Sequence, residues 1–516
     1  MAEIAVGRVL SGERETSRAT IMERAARAAT GFTELGVAAG DAVAVMLRND
    51  FPFFEASFAA QRIGAYCVPL NWHGKTPELA YVLEDCGAKA VGAHADLLPQ
   101  LAPAMPPRVP LLVVPTPPEI AAAYGLADAL CRPPPGARLW QEWLAAFAPM
   151  PDGPPGAISS MIYTSGTTGN PKGVRRLNMG GAGAAEAMAQ LARTVMGIVP
   201  GEVMRTVITG PLYHSAPNFY GLYAVRNGGL AILEPRFEAE ELLRLVEQYG
   251  ITHLHMVPTM FVRLLRLPEE VKRRYDLSSL KWVVHAAAPC SAEVKRAMIE
   301  WWGPIIVEYY GATETGAVTF HTSEEALRKP GTVGRPLPGG VVRIYDEQGR
   351  VLPAGAVGEV YLWLGGWPDF TYHRLDDKRR EVERDRLVTV GDVGYLDDDG
   401  YLFLCDRKRD MVISGGVNIY PAEIEAALLA MPGVRDCAVF GIPDDEYGEK
   451  LCAYVEPEPL SDLDEAQVKA FLRQRLADFK VPRVLRFAAG LPREDSGKIM
   501  KRKLREPYWA EAGRRI

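Results

Sequence analysis

The chain has no run of 18 consecutive apolar residues, so no helix is expected to span a bilayer. It has no CxxC pair. Its seven cysteines, at 67, 86, 131, 290, 405, 437 and 452, are odd in number and widely spaced. That excludes a disulfide framework and a structural zinc site, and fits small core thiols in a reducing compartment. It has no marked excess of either charge. Lys plus Arg number 58 against 64 Asp plus Glu, a net charge of −6, which leaves no electrostatic footprint for non-specific nucleic-acid binding. No apolar run follows a basic start in MAEIAVGRVLSGERETSR, so no signal peptide is expected and the expected location is cytoplasmic. There is no internal repeat. What remains is an ordinary globular balance, 48% hydrophobic and 24% charged over 516 residues, unlike disordered or collagen-like chains. The length allows three or four domains, or one large body with an appendage.

Helical and strand patterns alternate from residue 19 to 100. DAVAVMLRN reads as a buried strand, and FPFFEASFAAQRIGAYCVPLN as a helix followed by a strand. Such alternation predicts α/β layers around a parallel sheet. Residues 103–155 hold 14 of the 40 prolines and read as a surface excursion around one helix, RLWQEWLAAF. The α/β rhythm returns at 156–345. Short strands with Gly and Pro turns at 331–405 predict a β-rich lobe. After 410 a small α+β unit is expected: helix PAEIEAALLAMPGV with Pro in its first turn, two strands in CAVFGIPDDEYGEKLCAYVEPE, and helix DEAQVKAFLRQRLADF. The expected division is a large domain over 1–406, a hinge at 407–409 and a small mobile domain over 410–516.

The strongest chemical signal is Tyr163-Thr-Ser-Gly-Thr-Thr-Gly-Asn-Pro-Lys-Gly-Val174. A strand runs into a loop carrying Thr164, Ser165, Thr167 and Thr168, with Gly166 and Gly169 between them and Lys172 behind, on an expected strand–loop–helix frame. Glycines let backbone N–H groups curl around an anion, and hydroxyls with a lysine complete a polyphosphate cradle. Pro171 stands where a Walker A loop needs Gly before its Lys.

This segment resembles the phosphate loop of the acyl-adenylate-forming enzymes, which include acyl- and aryl-CoA synthetases, stand-alone adenylation domains and beetle luciferases. Four further segments resemble that family's motifs in the same order: Tyr309-Tyr-Gly-Ala-Thr-Glu-Thr-Gly316, Gly391-Asp-Val-Gly-Tyr395, Asp406-Arg-Lys-Arg-Asp410 with Ser414-Gly-Gly-Val-Asn-Ile-Tyr-Pro421, and Leu491-Pro-Arg-Glu-Asp-Ser-Gly-Lys498. The resemblance implies ATP, Mg²⁺ and coenzyme A as cofactors, and a small-molecule carboxylic acid as substrate. Glu314, with Thr167, would hold the metal. Tyr310, with Gly311 and Thr313 beside it, would pack on adenine, and Ala287 and Ala288 would line the same slot. Asp392 would grip the ribose hydroxyls, and Arg407 would reach ribose or phosphate. Lys498 would contact carboxylate and α-phosphate, and Ser414, Gly415 and Gly416 would wall a pantetheine path after the small domain rotates. The pivot would be Arg409, where the family usually has Asp or Lys. RRLNM replaces the family's histidine-containing turn after the phosphate loop, and the sequence assigns that change no function.

The residue types suit such chemistry. When a carboxylate attacks the α-phosphorus of ATP two anions must meet, so positioning and charge neutralisation matter more than a nucleophilic side chain. By resemblance His214, in PLYH, would gate the acyl site. LYHSAPNFYGLY contains no Asp or Glu to pair an α-ammonium, which argues against amino acids. Tyr213, Phe219, Tyr220, Met256, Val257, Ala286, Ala317 and Val318 suit a hydrocarbon acid. Small Ala286 and Gly316 would leave room for a long or bulky one. His285, Ala286 and the Phe370–His373 stretch resemble branches acting on fatty or bulky alicyclic acids. His253 and His255 lack a third nearby ligand and read as core or pocket residues. Only 18 residues follow Lys498, which leaves no room for a carrier domain and points to free CoA as acceptor. The expectation is therefore an AMP-forming acyl-CoA synthetase. The rivals are a stand-alone adenylation enzyme charging a carrier protein and a non-catalytic nucleotide-binding relative. No nucleic-acid partner is implied, and the oligomeric state is not legible.

Overall fold

The computed structural model describes residues 7–153, 160–164, 170–177, 182–199, 201–408, 410–414, 417–493 and 499–511. They form two compact units. The first takes the described residues within Met1–Ala287, Trp302–Val318 and Leu364–Glu383, the second those within Ala288–Trp301, Thr319–Trp363 and Arg384–Ile516.

The first unit is built on apolar strands too short to bury themselves. AVAVM at Ala42–Met46 and LAIL at Leu230–Leu233 are buried at every position, as strands covered on both faces must be. One parallel sheet runs, in spatial order, Tyr66–Pro69, Ala42–Met46, Ala88–His94, Leu111–Val114 and Arg138–Leu139. A second carries Arg8–Ser11, Leu230–Leu233, Arg205–Ile208, His253–Met256, Trp282–His285 and Ile306–Ala312, also parallel. Helices Arg18–Glu34 and Phe51–Arg62 supply Phe32, Phe53, Phe54 and Phe58 to a core shared with Val43, Ile208 and Leu233. Ser17 and Asp50 cap them by accepting the N–H of Thr20 and Phe51, satisfying donors the helix cannot.

The proline-rich stretch is more than the surface excursion expected. It contributes Leu111–Val114 to the first sheet, and its helix Trp140–Ala145 buries Trp140 completely. The Trp140 indole N–H donates to Glu55 Oε2 at 2.6 Å. Prolines sit between elements or in a helix first turn, as at Pro118, so their density masked the short strand LLVV. A third sheet, wholly antiparallel, joins Ile162–Thr164, Lys172–Arg176 and Phe370–Tyr372.

The second unit contains the expected β-rich lobe, with Gly340–Tyr345, Gly358–Leu364, Leu387–Leu396 and Leu402–Arg407 in one sheet. Its C-terminal part pairs Val434–Asp444 with Gly448–Pro457 as the anticipated hairpin and adds Val412–Ser414, Val417–Ile419 and Val484–Phe487. Helices Pro421–Leu429 and Glu465–Arg473 close a separate core of Ile424, Leu428, Val439, Val455, Val468 and Leu472. All seven cysteines are free. Among the described residues no helix is long and apolar enough to cross a membrane.

Candidate functional site

The phosphate-loop segment is a hairpin. Tyr163 pairs with Gly173 and Thr164 with Lys172, and the tip, Ser165, Gly166, Thr167, Thr168 and Gly169, lies outside the described residues. The expected strand–loop–helix frame is thus corrected to strand–loop–strand. Lys172–Arg176 is flanked by strands on both sides, so pairing, not the local pattern, sets its conformation. The Tyr163 ring covers Gly173, where a Cβ would come within 2.9 Å of the ring. The phenol donates to Asp85 Oδ2 at 2.5 Å.

Glu314 occupies the turn between strands Ile306–Ala312 and Gly316–His321 and is 9% exposed. The turn admits little variation. A Cβ on Gly311 would lie 1.7 Å from the Gly316 carbonyl oxygen, and Thr315 Oγ1 accepts the Ala312 N–H. Thr313 Oγ1 donates to Ser215 Oγ at 2.9 Å. Three side chains that sequence reasoning missed surround this turn. Tyr372 donates its phenol to Glu314 Oε1 at 3.0 Å. Arg176 donates to the carbonyls of Thr313, Glu314 and Pro368. Burial brings its pKa down to about 10, with Glu314 and Asp369 opposing, so it stays charged at neutral pH. Trp367 lies under that guanidinium, 5.3 Å from ring to Cζ. The FTYH stretch and the RRLNM departure were the signals available. Neither indicated that the strand Phe370–Tyr372 pairs with Lys172–Arg176.

Lys172 lies over the face of Tyr372, its ammonium 4.4 Å from the ring centroid. Lys172 and Glu314 are therefore drawn to one aromatic ring. Among the described residues Tyr372 is the one side chain bonded to the Glu314 carboxylate. No group of three or more His, Cys, Asp or Glu there could chelate an ion unaided. One buried carboxylate fits Mg²⁺, which commonly takes its other ligands from water and substrate phosphates.

Tyr310 is half-buried on Ile306–Ala312. Ala287, in HAAAP, has φ +74°, the left-handed region that disfavours an L side chain by roughly 1–2 kcal/mol. Ala287→Gly is expected to stabilise the protein by about 0.5–1 kcal/mol, less than the full strain because Gly also loosens the unfolded chain. It should read as a higher urea midpoint at unchanged slope; a lower midpoint would mean that the methyl group packs productively. Ala286 is buried, and Ala288 begins the second unit.

Among the acyl candidates, Tyr213 meets Trp72 edge-on with centroids 4.6 Å apart and lies beside His214 at 4.4 Å. His214 precedes helix Ser215–Asn227. Phe219 is half-buried, 6.0 Å from Trp367. The space expected at Gly316 is filled, since a Cβ there would meet the Trp367 ring at 2.6 Å. Met256, Ala317 and Val318 are buried, and Val257 is half-buried. His285 is fully buried, its Nε2 3.8 Å from Glu308 Oε2 and its ring edge-on to Phe261. Tyr220 is core, bonded to Thr206 at 2.9 Å. Burial holds His255 down at a pKa of about 4, next to the Tyr309 phenol at 3.2 Å. His253 Nε2 faces the Gly197 carbonyl.

In the second unit Asp392 is 7% exposed on Leu387–Leu396 and pairs in register with Arg407, whose Nε lies 3.4 Å from Oδ1. Asp406 accepts the N–H of Arg407 and of Ala422, in the first turn of Pro421–Leu429. Burial raises its pKa, against the pull of Lys501. Ser414 ends Val412–Ser414. Arg409, Gly415, Gly416 and Lys498 lie outside the described residues.

Residues 3–366 match the model described as AMP-binding enzyme, and 423–498 the AMP-binding enzyme C-terminal domain. The feruloyl-CoA synthase of an Amycolatopsis species is 34% identical over 95% of this chain and 93% of its own. The fatty acid–[acyl-carrier-protein] ligase ScoC of Streptomyces coeruleorubidus is 30% identical over 95% and 91%. The solved structure of the amide bond synthetase McbA from Marinactinospora thermotolerans superposes with a TM-score of 0.83 at 27% identity, covering 98% of each chain.

Proposed function

The chain belongs to the AMP-binding enzyme family and is an AMP-forming acid–thiol ligase using ATP and Mg²⁺, and on that premise we propose that it adenylates an apolar carboxylic acid, releases pyrophosphate and passes the acyl group to CoA. The observation that carries the reading is the convergence of Glu314, Tyr372 and Lys172 beside the phosphate-loop hairpin. Mg²⁺, when bound, supplies positive charge to phosphate oxygens.

This chain's own residues do the rest. Glu314 would hold the ion, with Thr167 completing that side. Lys172 and the hydroxyls and N–H groups of 164–169 would receive the phosphates. Tyr310 and the Ala287–Ala288 backbone would hold adenine, and Asp392 with Arg407 the ribose. Lys498 would neutralise charge where carboxylate meets α-phosphate. The small C-terminal domain, turning at 407–409, would then present Ser414, Gly415 and Gly416 to the thiol. Relatives whose names specify CoA, a carrier protein and an amide product make the acceptor the variable part, so the test includes CoA as a variable.

The absence of an acidic residue in 212–223 and the aromatic surroundings of Phe219 and Tyr213 support an apolar acid. Pyrophosphate release measured across a panel of acids, with and without CoA, is expected to favour medium- or long-chain or bulky apolar acids far above α-amino acids. Each added CH₂ buried should raise kcat/KM about fourfold, the equivalent of ~0.8 kcal/mol, until the pocket is full. Comparable turnover of an α-amino acid would overturn the substrate reading, and product formation indifferent to CoA would overturn the acceptor.

A further inference from the structure

We propose that Tyr372 is a positioning residue that keeps Glu314 and Lys172 apart and correctly aimed, its edge holding the metal carboxylate and its face holding the phosphate-loop ammonium. The proposal rests on the reading of Glu314 as the metal carboxylate.

Glu314 and Lys172 carry opposite charges and both approach the Tyr372 ring, yet no ion pair forms between them. A direct pair would engage the ammonium meant for phosphate and the carboxylate meant for the cation. The ring removes that outcome sterically, because the two groups meet different parts of it. The phenol O–H, at the ring's edge, donates to Oε1 at 3.0 Å, while the ammonium sits 4.4 Å from the centroid, within the range of a cation–π contact.

Two further contacts make the arrangement specific. Arg176 holds the turn backbone through the carbonyls of Thr313 and Glu314, which leaves mainly the Glu314 side-chain torsions to be restrained, and Tyr372 restrains them. Tyr372 is itself fixed, because Phe370–Tyr372 pairs with Lys172–Arg176, with Tyr372 opposite Val174, and its ring packs edge-on to Phe370 at 5.4 Å. One strand pairing therefore sets the lysine, the tyrosine and, through Arg176, the glutamate turn.

The test compares Tyr372→Phe, which keeps the ring and loses the hydroxyl, with Tyr372→Leu, which loses both. Mn²⁺ binding to the enzyme–ATP complex is followed by EPR, and ATP binding without metal by calorimetry. Tyr372→Phe should weaken Mn²⁺ binding about tenfold, the size of losing a partner behind a metal ligand, and leave metal-free ATP binding unchanged. Tyr372→Leu should weaken both, because Lys172 then pairs with Glu314. In a Glu314→Gln background Tyr372→Phe should add nothing for Mn²⁺, the non-additivity of two groups acting as one. Glu314→Gln that leaves Mn²⁺ affinity intact would remove the underlying reading of Glu314. Glu314→Gln that weakens it while Tyr372→Phe does not would remove this proposal alone. Unchanged metal-free ATP binding in Tyr372→Leu would remove the separating role of the ring.

Discussion

Lys498→Ala is expected to slow acyl-adenylate formation from ATP and acid by about 100-fold while leaving thioester formation from a synthetic acyl-adenylate and CoA near its normal rate. The prediction follows from where charge accumulates. When the carboxylate approaches the α-phosphorus, two anions are forced together, and an ammonium at about 3 Å in an effective dielectric near 20 attracts the forming group by about 5 kcal/mol before desolvation. Half of that survives as about 100-fold in rate. The thioester step has no such meeting of anions. Thiol access governs it instead, and Ser414-Gly415-Gly416 is the segment proposed to provide that access. Gly416→Leu should therefore show the opposite profile, with adenylation retained and thiol transfer lost. Measuring each half-reaction separately decides the matter. Equal slowing of both by Lys498→Ala would end the idea that one small domain serves two steps in turn.

Glu314→Gln is expected to reduce pyrophosphate release more than about 100-fold at limiting Mg²⁺, with the thermal midpoint nearly unchanged. Partners standing behind a metal ligand cost 10- to 100-fold in metal affinity when lost, so a direct ligand should exceed that range. The substitution keeps the side-chain volume and an acceptor for the Tyr372 phenol at Oε1, and it leaves the turn backbone with Arg176. The fold therefore has little reason to respond. Because Gln still coordinates weakly through its carbonyl, excess Mg²⁺ should recover part of the activity, and a titration of rate against Mg²⁺ should shift to higher concentration. Wild-type rates at limiting Mg²⁺ would assign the ion to a different residue.

The elements that were legible from sequence are those whose cause is local. Ala42–Met46 and Phe51–Arg62 follow from apolar runs and caps that neighbouring residues supply. So do Pro421–Leu429, with its first-turn proline, and the Val434–Asp444 hairpin. The five motif segments are likewise contiguous strings, and their order along the chain was enough to point to the family that the comparison shows.

What the sequence by itself determined, then, is the α/β architecture, the chemistry to which Lys172, Glu314 and Asp392 are suited, and the family. Only the tertiary structure decided that Lys172 begins a strand, because that outcome depends on hydrogen-bond partners on both flanks. It alone decided that Trp367 fills the space beside Gly316, and that Trp140, in a proline-rich stretch, is core. The same holds for Tyr372, 58 residues from Glu314, and for Arg175, 198 residues from the His373 it meets. No local pattern encodes such meetings. Arg175 meets His373 because β-pairing sets Lys172–Arg176 beside Phe370–Tyr372, whereas Tyr372 reaches Glu314, and Trp367 reaches Gly316, by packing against the end of a different sheet, and the free energy of such pairing and packing belongs to the folded chain as a whole.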